Sequence, residues 1–378
     1  MLIGIPKEIK DHECRVGATP TGVSTLVAAG HKVLVETGAA ARIGFGDDMY
    51  TSAGAHIVAT AEEVYRADMI IKVKEPQPEE YPLLHEGQIL FGYLHLAPAA
   101  TLTRELLQRK VIGIAYETIT DAQGTLPLLI PMSEVAGRLA IQVGASALEM
   151  EHGGNGTLLG GVPGVLPGKV VILGGGIVGT NAAKMAIGLG ADVTIIDINP
   201  ARLRYLDDIF GSRLKTVYSE QHAIEALVQS ADLVVGSILL PGKRAPKLLS
   251  RQTIASMKPG SVFVDVAIDQ GGCAETSRPT THSNPTFIEE GVVHYCVTNM
   301  PAAVSRTSTL ALTQTTLPYA LEIARKGVVQ ALTEHPGLLN GLNVYLGMVT
   351  HPAVAQDLGY PLTPASDLLN PAIGRNHQ

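Results

Sequence analysis

The sequence has no tryptophan and five phenylalanines, and aromatics make up 4% of its 378 residues. Surfaces that stack unpaired bases need aromatic faces, so this scarcity argues against a nucleic-acid binder. There is no polybasic run, and the net charge is −7, which removes the usual electrostatic footprint for nucleic acid or an anionic membrane. The three cysteines, Cys14, Cys273 and Cys296, are odd in number and far apart. They give no disulfide framework and suit a reducing cytosol. No run of about 18 apolar residues is free of charge, polar breaks and glycine clusters, so no membrane span is expected. The opening residues lack a signal-peptide pattern, and a cytoplasmic protein is expected. No internal repeat or low-complexity segment appears. His12 and Cys14 have no second pair of ligands, so no metal site is expected. The run from Gly164 to Lys169 is one residue short of a P-loop, and Val170 stands where Ser or Thr is required.

What is present is a globular composition, 46% hydrophobic and 17% charged, on a chain long enough for two domains. Short apolar runs alternate with amphipathic ones through the first third. Strands are expected at 2–5, 32–36, 56–59, 69–73, 88–92 and 111–115, and helices at 21–29, 61–67 and 102–109. Such alternation predicts a parallel α/β sheet. A long helix is expected from Met132 to Met150, with Gly137 and Gly144 allowing close packing. Six further strands follow between Val170 and Val297. The tail over 309–332 reads as helix interrupted at Pro318.

The run from Lys169 to Lys184 is a strand, a glycine turn and an Ala-rich helix. Gly174, Gly176 and Gly179 give the G-x-G-x-x-G spacing: one glycine for the tight turn, one for backbone approach to a pyrophosphate, one for helix–strand packing. The helix N-terminus then offers free N–H groups to the phosphates. The next strand ends at Asp197, placed to bond ribose hydroxyls and repel a 2′-phosphate, so NAD is favoured over NADP. Arg202 reads as an adenine or ribose neighbour; the other reading is a phosphate ligand.

Parallel sheets gather functional groups at the C-terminal ends of their strands. The polar residues there are Lys74, His95, Glu117, Ser237, Asp269 and Asn299. Strand alternation puts Lys72 and Lys74 on one face, so the sequence does not choose between them, although Lys74 lies nearer the strand end. Histidine is the residue type suited to proton transfer near neutrality, so His95 is an acid/base candidate or a structural histidine. Asp269, before two glycines, is a second proton-transfer candidate or an Asx-turn residue.

The segments Gly4 to Glu8 and Glu13 to Pro20 resemble the N-terminal signature shared by alanine dehydrogenases and the NAD-binding subunit of proton-translocating transhydrogenases. The run Gly161 to Gly176 resembles the second signature, and the resemblance extends through 93–97, 265–272 and 298–302. It implies two Rossmann-like doubly wound α/β domains with a cleft between them. The first, 1–128 plus 307–378, is discontinuous and carries substrate; the second, 129–306, binds NAD. The activity implied is reversible NAD-dependent deamination of L-alanine to pyruvate and ammonia, by a homo-oligomer, hexameric in the family. The alternative is the transhydrogenase subunit. Roles carried over by the resemblance are His95 and Asp269 as catalytic groups, with Arg15, Lys74, Tyr93, Met132 and Asn299 around the substrate. The nucleotide would be met by Ser133, the glycines with Ile177 and Val178, Asp197, Arg202, Ser219, Ile238 and Leu239. Val266, Ala267, Ile268, Asp269, Arg278, Val297, Thr298, Asn299 and Met300 complete that set.

Overall fold

In the computed structural model the described residues are 1–238 and 245–369. They form two compact units, Met1–Met132 with Val304–Gln378, and Ser133–Ala303. In chain order the strands are β1 (Leu2–Ile5), β2 (Lys32–Glu36), β3 (His56–Val58), β4 (Met69–Ile71), β5 (Ile89–Gly92) and β6 (Ile112–Ala115). Then come β7 (Lys169–Leu173), β8 (Asp192–Asp197), β9 (Lys215–Tyr218), β10 (Leu233–Gly236), β11 (Val262–Asp265), β12 (Thr286–Glu289) and β13 (Val292–Tyr295). Last are β14 (Leu342–Tyr345) and β15 (Met348–Val349).

The first unit holds one eight-stranded sheet in the order β15-β14-β6-β5-β4-β1-β2-β3. Its first six strands pair in parallel. Their order, 3-2-1-4-5-6, is the doubly wound order, with a switch point between β1 and β4. The second unit repeats it: β9-β8-β7-β10-β11-β13 run parallel, with the switch between β7 and β10. The central strands β4, β5, β6 and β10 are buried at every residue, as parallel sheets covered on both faces require. The fold is α/β with two Rossmann-like sheets, as expected.

Four expectations are corrected. The second sheet has a seventh strand, β12, antiparallel to β13. The tail adds β14 and β15, both antiparallel, beside β6. The tail helix is not interrupted at Pro318: it runs unbroken over Ser305–Lys326 and ends at Gly327, with φ 76°. Proline forfeits one helical hydrogen bond, but Leu312, Thr313 and Thr316 before it and Ala320, Ile323 and Ala324 after it are buried along one face, and that packing holds the helix together. The strand expected over 69–73 stops at Ile71, so Lys72 and Lys74 lie beyond it. A smaller difference is the helix expected over 61–67, which is the single turn Ala61–Val64, closed by a Thr60–Glu63 capping box.

The long helix is Ile130–Ala147. A Cβ added at Gly137 would lie 2.2 Å from the Val178 carbonyl oxygen, and one at Gly144 2.7 Å from Leu233. Backbone cannot yield as a flexible side chain can. Gly137→Ala is therefore expected to lower stability by about 1–3 kcal/mol, read as a reduced urea midpoint at unchanged m-value.

Candidate active site

In the first unit the residues after β1, β4 and β5 converge on the switch point. Arg15 is 1% exposed. Its Nε and Nη2 donate to Glu13 at 2.7 and 2.5 Å, and its Nη1 lies 3.1 Å from the Met132 sulfur. The two lysines that alternation left equivalent are separated here. Lys72 is buried between two acids, with Nζ 3.1 Å from Glu8 Oε2 and 2.7 Å from Glu80 Oε1. Burial alone would lower its pKa, but the two carboxylates outweigh that and raise it. Among the described residues, Lys74 has only its backbone N–H bonded, to Glu8 at 3.2 Å. Burial lowers its pKa, and the nearby Arg15 lowers it further. A half-covered ammonium with no carboxylate closed on it is what an anionic substrate needs.

Tyr93 and His95 follow β5. Their rings stack at 5.9 Å with an interplanar angle of 7°. Tyr93 donates to the Leu128 carbonyl at 2.6 Å, and burial pushes its phenol well up, so it stays a neutral wall. His95 sits at φ 47°, the left-handed region that disfavours side chains larger than glycine. Its side chain is 48% exposed. Glu117, after β6, holds it there. Glu117 Oε1 accepts the His95 N–H at 2.6 Å, Oε2 accepts the Leu94 N–H at 3.3 Å, and Oε1 lies 3.7 Å from Nδ1.

In the second unit the glycine turn can be checked position by position. Gly174 has φ 102°. A Cβ on Gly176 would meet nothing within 4 Å, whereas one on Gly179 would lie 1.9 Å from the Gly174 carbonyl oxygen. The first glycine therefore makes the turn, the second leaves open space, and the third allows the contact. Gly176 caps the helix Ile177–Gly188 with no side-chain bond, so the leading N–H groups remain available to an anion. Asp197 ends β8, its carboxylate accepting the Gly175 and Asn199 N–H groups at 2.6 and 2.7 Å. Arg202 is spent on the turn itself, donating to the Gly175 carbonyl at 2.5 Å and to Thr180 Oγ1 at 2.6 Å. That occupation disfavours the phosphate-ligand reading. The switch-point residue Ser237 bonds the Leu173 and Gly174 carbonyls at 2.8 and 2.9 Å, and Ile238 follows it. Such a turn, open where a pyrophosphate would lie and closed where helix meets strand, fits a dinucleotide.

The other expected residues of this unit lie as follows. Ser133, Val178, Ala267, Ile268, Val297 and Met300 are wholly or largely covered; Ile177 is exposed at 39%. Ser219 bonds the Asp197 carbonyl through its N–H at 3.0 Å. Asp269 is exposed on the short 3-10 turn Val266–Gln270 rather than directly after a strand. Asn299 has φ 59°, beside the half-covered Thr298. Arg278 lies over the Phe287 ring at 4.1 Å. Leu239 falls outside the described residues.

Family models for the alanine dehydrogenase/PNT N-terminal domain and C-terminal domain match residues 4–136 and 140–352. The chain belongs to the alanine dehydrogenase/PNT family. Among curated relatives of this family, an alanine dehydrogenase of Methanococcus maripaludis is 59% identical over 372 residues, 98% of this chain and 100% of that protein. A solved L-alanine dehydrogenase matches with a TM-score of 0.93 at 53% identity, covering 95% of this chain and 99% of its own. A solved transhydrogenase from Sinorhizobium meliloti matches at 0.79 with 23% identity, covering 93% and 100%; it shares the fold. Within this family the chain is an oxidoreductase of the alanine dehydrogenase branch, and the transhydrogenase is only a distant relative.

Carboxylates were the residues missed in the sequence. Glu8, Glu13, Glu80 and Asp265 all shape the loops that carry the candidates and had been assigned no role; of the loop-setting acids, Asp197 and Glu117 were noticed, as strand-end groups. For Glu8 and Asp265 the available signal was an acid at or just past a strand end; Glu13 and Glu80 carried none.

Proposed function

We propose that the chain catalyses the reversible reaction of L-alanine, NAD and water to pyruvate, ammonium, NADH and a proton. The observation that carries this reading is the unpaired Lys74 beside Arg15 at the switch point of the first sheet. It supplies positive charge for a small carboxylate, walled by Tyr93 and Met132. Residues 1–128 with 307–378 are assigned to substrate and 129–306 to NAD.

NAD, when bound, supplies the hydride acceptor. Gly174, Gly176 and Gly179, with the N–H groups of Ile177 and Val178, would hold its pyrophosphate, and Asp197 its adenosine ribose. Arg15 and Lys74 hold the carboxylate end so that Cα sits at near-attack distance. Once the alanine ammonium has lost a proton, which is the proton released overall, hydride loss leaves the substrate as an iminium. Water adds to its carbon while His95 or Asp269 takes the proton. The carbinolamine collapses as the departing ammonia is protonated. By resemblance the chain would be a cytoplasmic homo-hexamer; its net charge and scarce aromatics fit the absence of a nucleic-acid or anionic-membrane partner, and among the described residues no helix is long and apolar enough to cross a membrane.

Alanine with NAD at alkaline pH, followed at the NADH absorbance, tests the activity, because the forward direction releases a proton. No alanine-dependent NADH would refute it. Asp197→Ala is expected to raise the KM for NAD roughly tenfold and to relax rejection of NADP; an unchanged NADP/NAD ratio would remove Asp197 from the ribose site.

A further inference from the structure

We propose that Glu8 is a positioning residue for Lys74: its carboxylate, just beyond β1, fixes the backbone turn from which the Lys74 side chain reaches the substrate. The proposal rests on the reading of Lys74 as a substrate ligand.

β4 ends at Ile71, so the N–H groups of Val73 and Lys74 have no place in its ladder. Glu8, 65 residues away along the chain, accepts both on Oε1, at 2.7 and 3.2 Å. Its other oxygen lies 3.1 Å from Lys72 Nζ. Lys72 in turn donates to Glu80 at 2.7 Å, and Glu80 also accepts the Gln77 N–H at 2.7 Å and the Tyr65 hydroxyl at 2.8 Å. The segment from Lys72 to Gln77 is thus pinned at 72, 73, 74 and 77, with the Lys74 ammonium left without a bonded partner among the described residues. β1 and β4 are the strands of the switch point, where doubly wound sheets receive ligands.

The charge count argues that Glu8 is there for the turn. Lys72 and Glu80 alone would make a balanced buried pair. A second buried carboxylate beside one ammonium carries a desolvation cost, and burial does push the Glu8 carboxyl upward. A group retained only to neutralise Lys72 would be redundant. Two backbone N–H groups next to the substrate lysine account for it. Removing Glu8 also leaves the Lys72–Glu80 pair intact, so the variants need not unfold.

The test is steady-state kinetics on the full chain with Glu8→Leu, Glu8→Gln, Lys74→Ala and the double variant Glu8→Leu/Lys74→Ala. Glu8→Leu is expected to raise the KM for alanine about tenfold to a hundredfold with the KM for NAD unchanged. Glu8→Gln keeps an oxygen for both N–H groups, although its NH2 then faces Lys72 and lowers stability; in the folded variant the alanine KM should return to within roughly threefold of the parent. On the Lys74→Ala background, Glu8→Leu should cost nothing more. Glu8→Met replaces Glu8→Leu if the latter does not fold. A normal alanine KM in the folded apolar variant, a Glu8→Gln as impaired as Glu8→Leu, or multiplying losses in the double variant would each overturn the proposal. Normal alanine kinetics in Lys74→Ala would instead overturn the reading of Lys74, and the proposal with it.

Discussion

Lys74→Ala lowers kcat/KM for alanine by about a hundredfold or more and leaves the fold intact, while Lys72→Ala does the reverse. The two lysines stand two residues apart, yet their surroundings differ in kind. Lys72 is fully buried against Glu8 and Glu80. Its removal strands two carboxylates in the interior, at a cost of about 3–5 kcal/mol, visible as a lower denaturation midpoint. Lys74 has no protein carboxylate to strand. Its loss would remove the charge proposed to meet the substrate carboxylate and carbonyl side, and the defect is expected in alanine and pyruvate kinetics. Near-normal turnover in Lys74→Ala would sink the assignment.

The pH dependence separates the roles further. Burial, then Arg15, hold the Lys74 pKa below its ordinary value of 10.5. A lysine lowered on folding opposes the fold while it is charged, and that penalty fades as pH rises from the lowered value to the ordinary one. Substrate binding through the ammonium runs the other way and is lost as pH rises through the lowered value. The KM for alanine should therefore climb below the pH at which a free lysine titrates, while the Lys74 contribution to stability improves across the same window. Lys74→Ala should flatten both slopes.

Much of the fold was legible because its signals are local. The strand, three glycines and the Ala-rich helix from Lys169 to Lys184 lie within one short stretch, and each glycine has the environment its place in the motif requires. β12, β14 and β15 were not legible, because four-residue or shorter antiparallel strands at a sheet edge owe their existence to the neighbour they pair with. Pro318 misled for the same reason: burial on both sides of it overrides a local helix-breaking signal. The choice between Lys72 and Lys74 depended on Glu8 and Glu80, one of them in the loop that follows another strand, β1. The same long-range pattern recurs. Glu117 holds the Leu94 and His95 N–H groups. Asp265 clamps the loop bearing Asp269 through the Ala267 and Cys273 N–H groups at 3.1 and 2.9 Å and the Ser277 hydroxyl at 2.5 Å. Candidate side chains lie near strand ends, where alternation can find them; of the acids that set their loops, Glu8 and Glu117 come from distant parts of the sequence, whereas Glu13 and Asp265 are local.

His95→Ala is likewise expected to cost about a hundredfold or more in kcat/KM, but its interpretation needs a second variant. The position has φ 47°, which alanine tolerates poorly and asparagine better. His95→Asn therefore preserves the turn, and with it the Glu117 bonds to the Leu94 and His95 N–H groups, while deleting the imidazole. If His95 transfers a proton, both variants lose turnover to a similar extent. If the histidine only shapes the turn, His95→Asn recovers most of the activity and His95→Ala does not. The Tyr93 ring, stacked on the imidazole at 5.9 Å, is anchored independently by its bond to the Leu128 carbonyl, so the wall of the substrate site should survive either change. A KM for alanine close to that of the parent, alongside a collapsed kcat, would place the defect in chemistry rather than in binding.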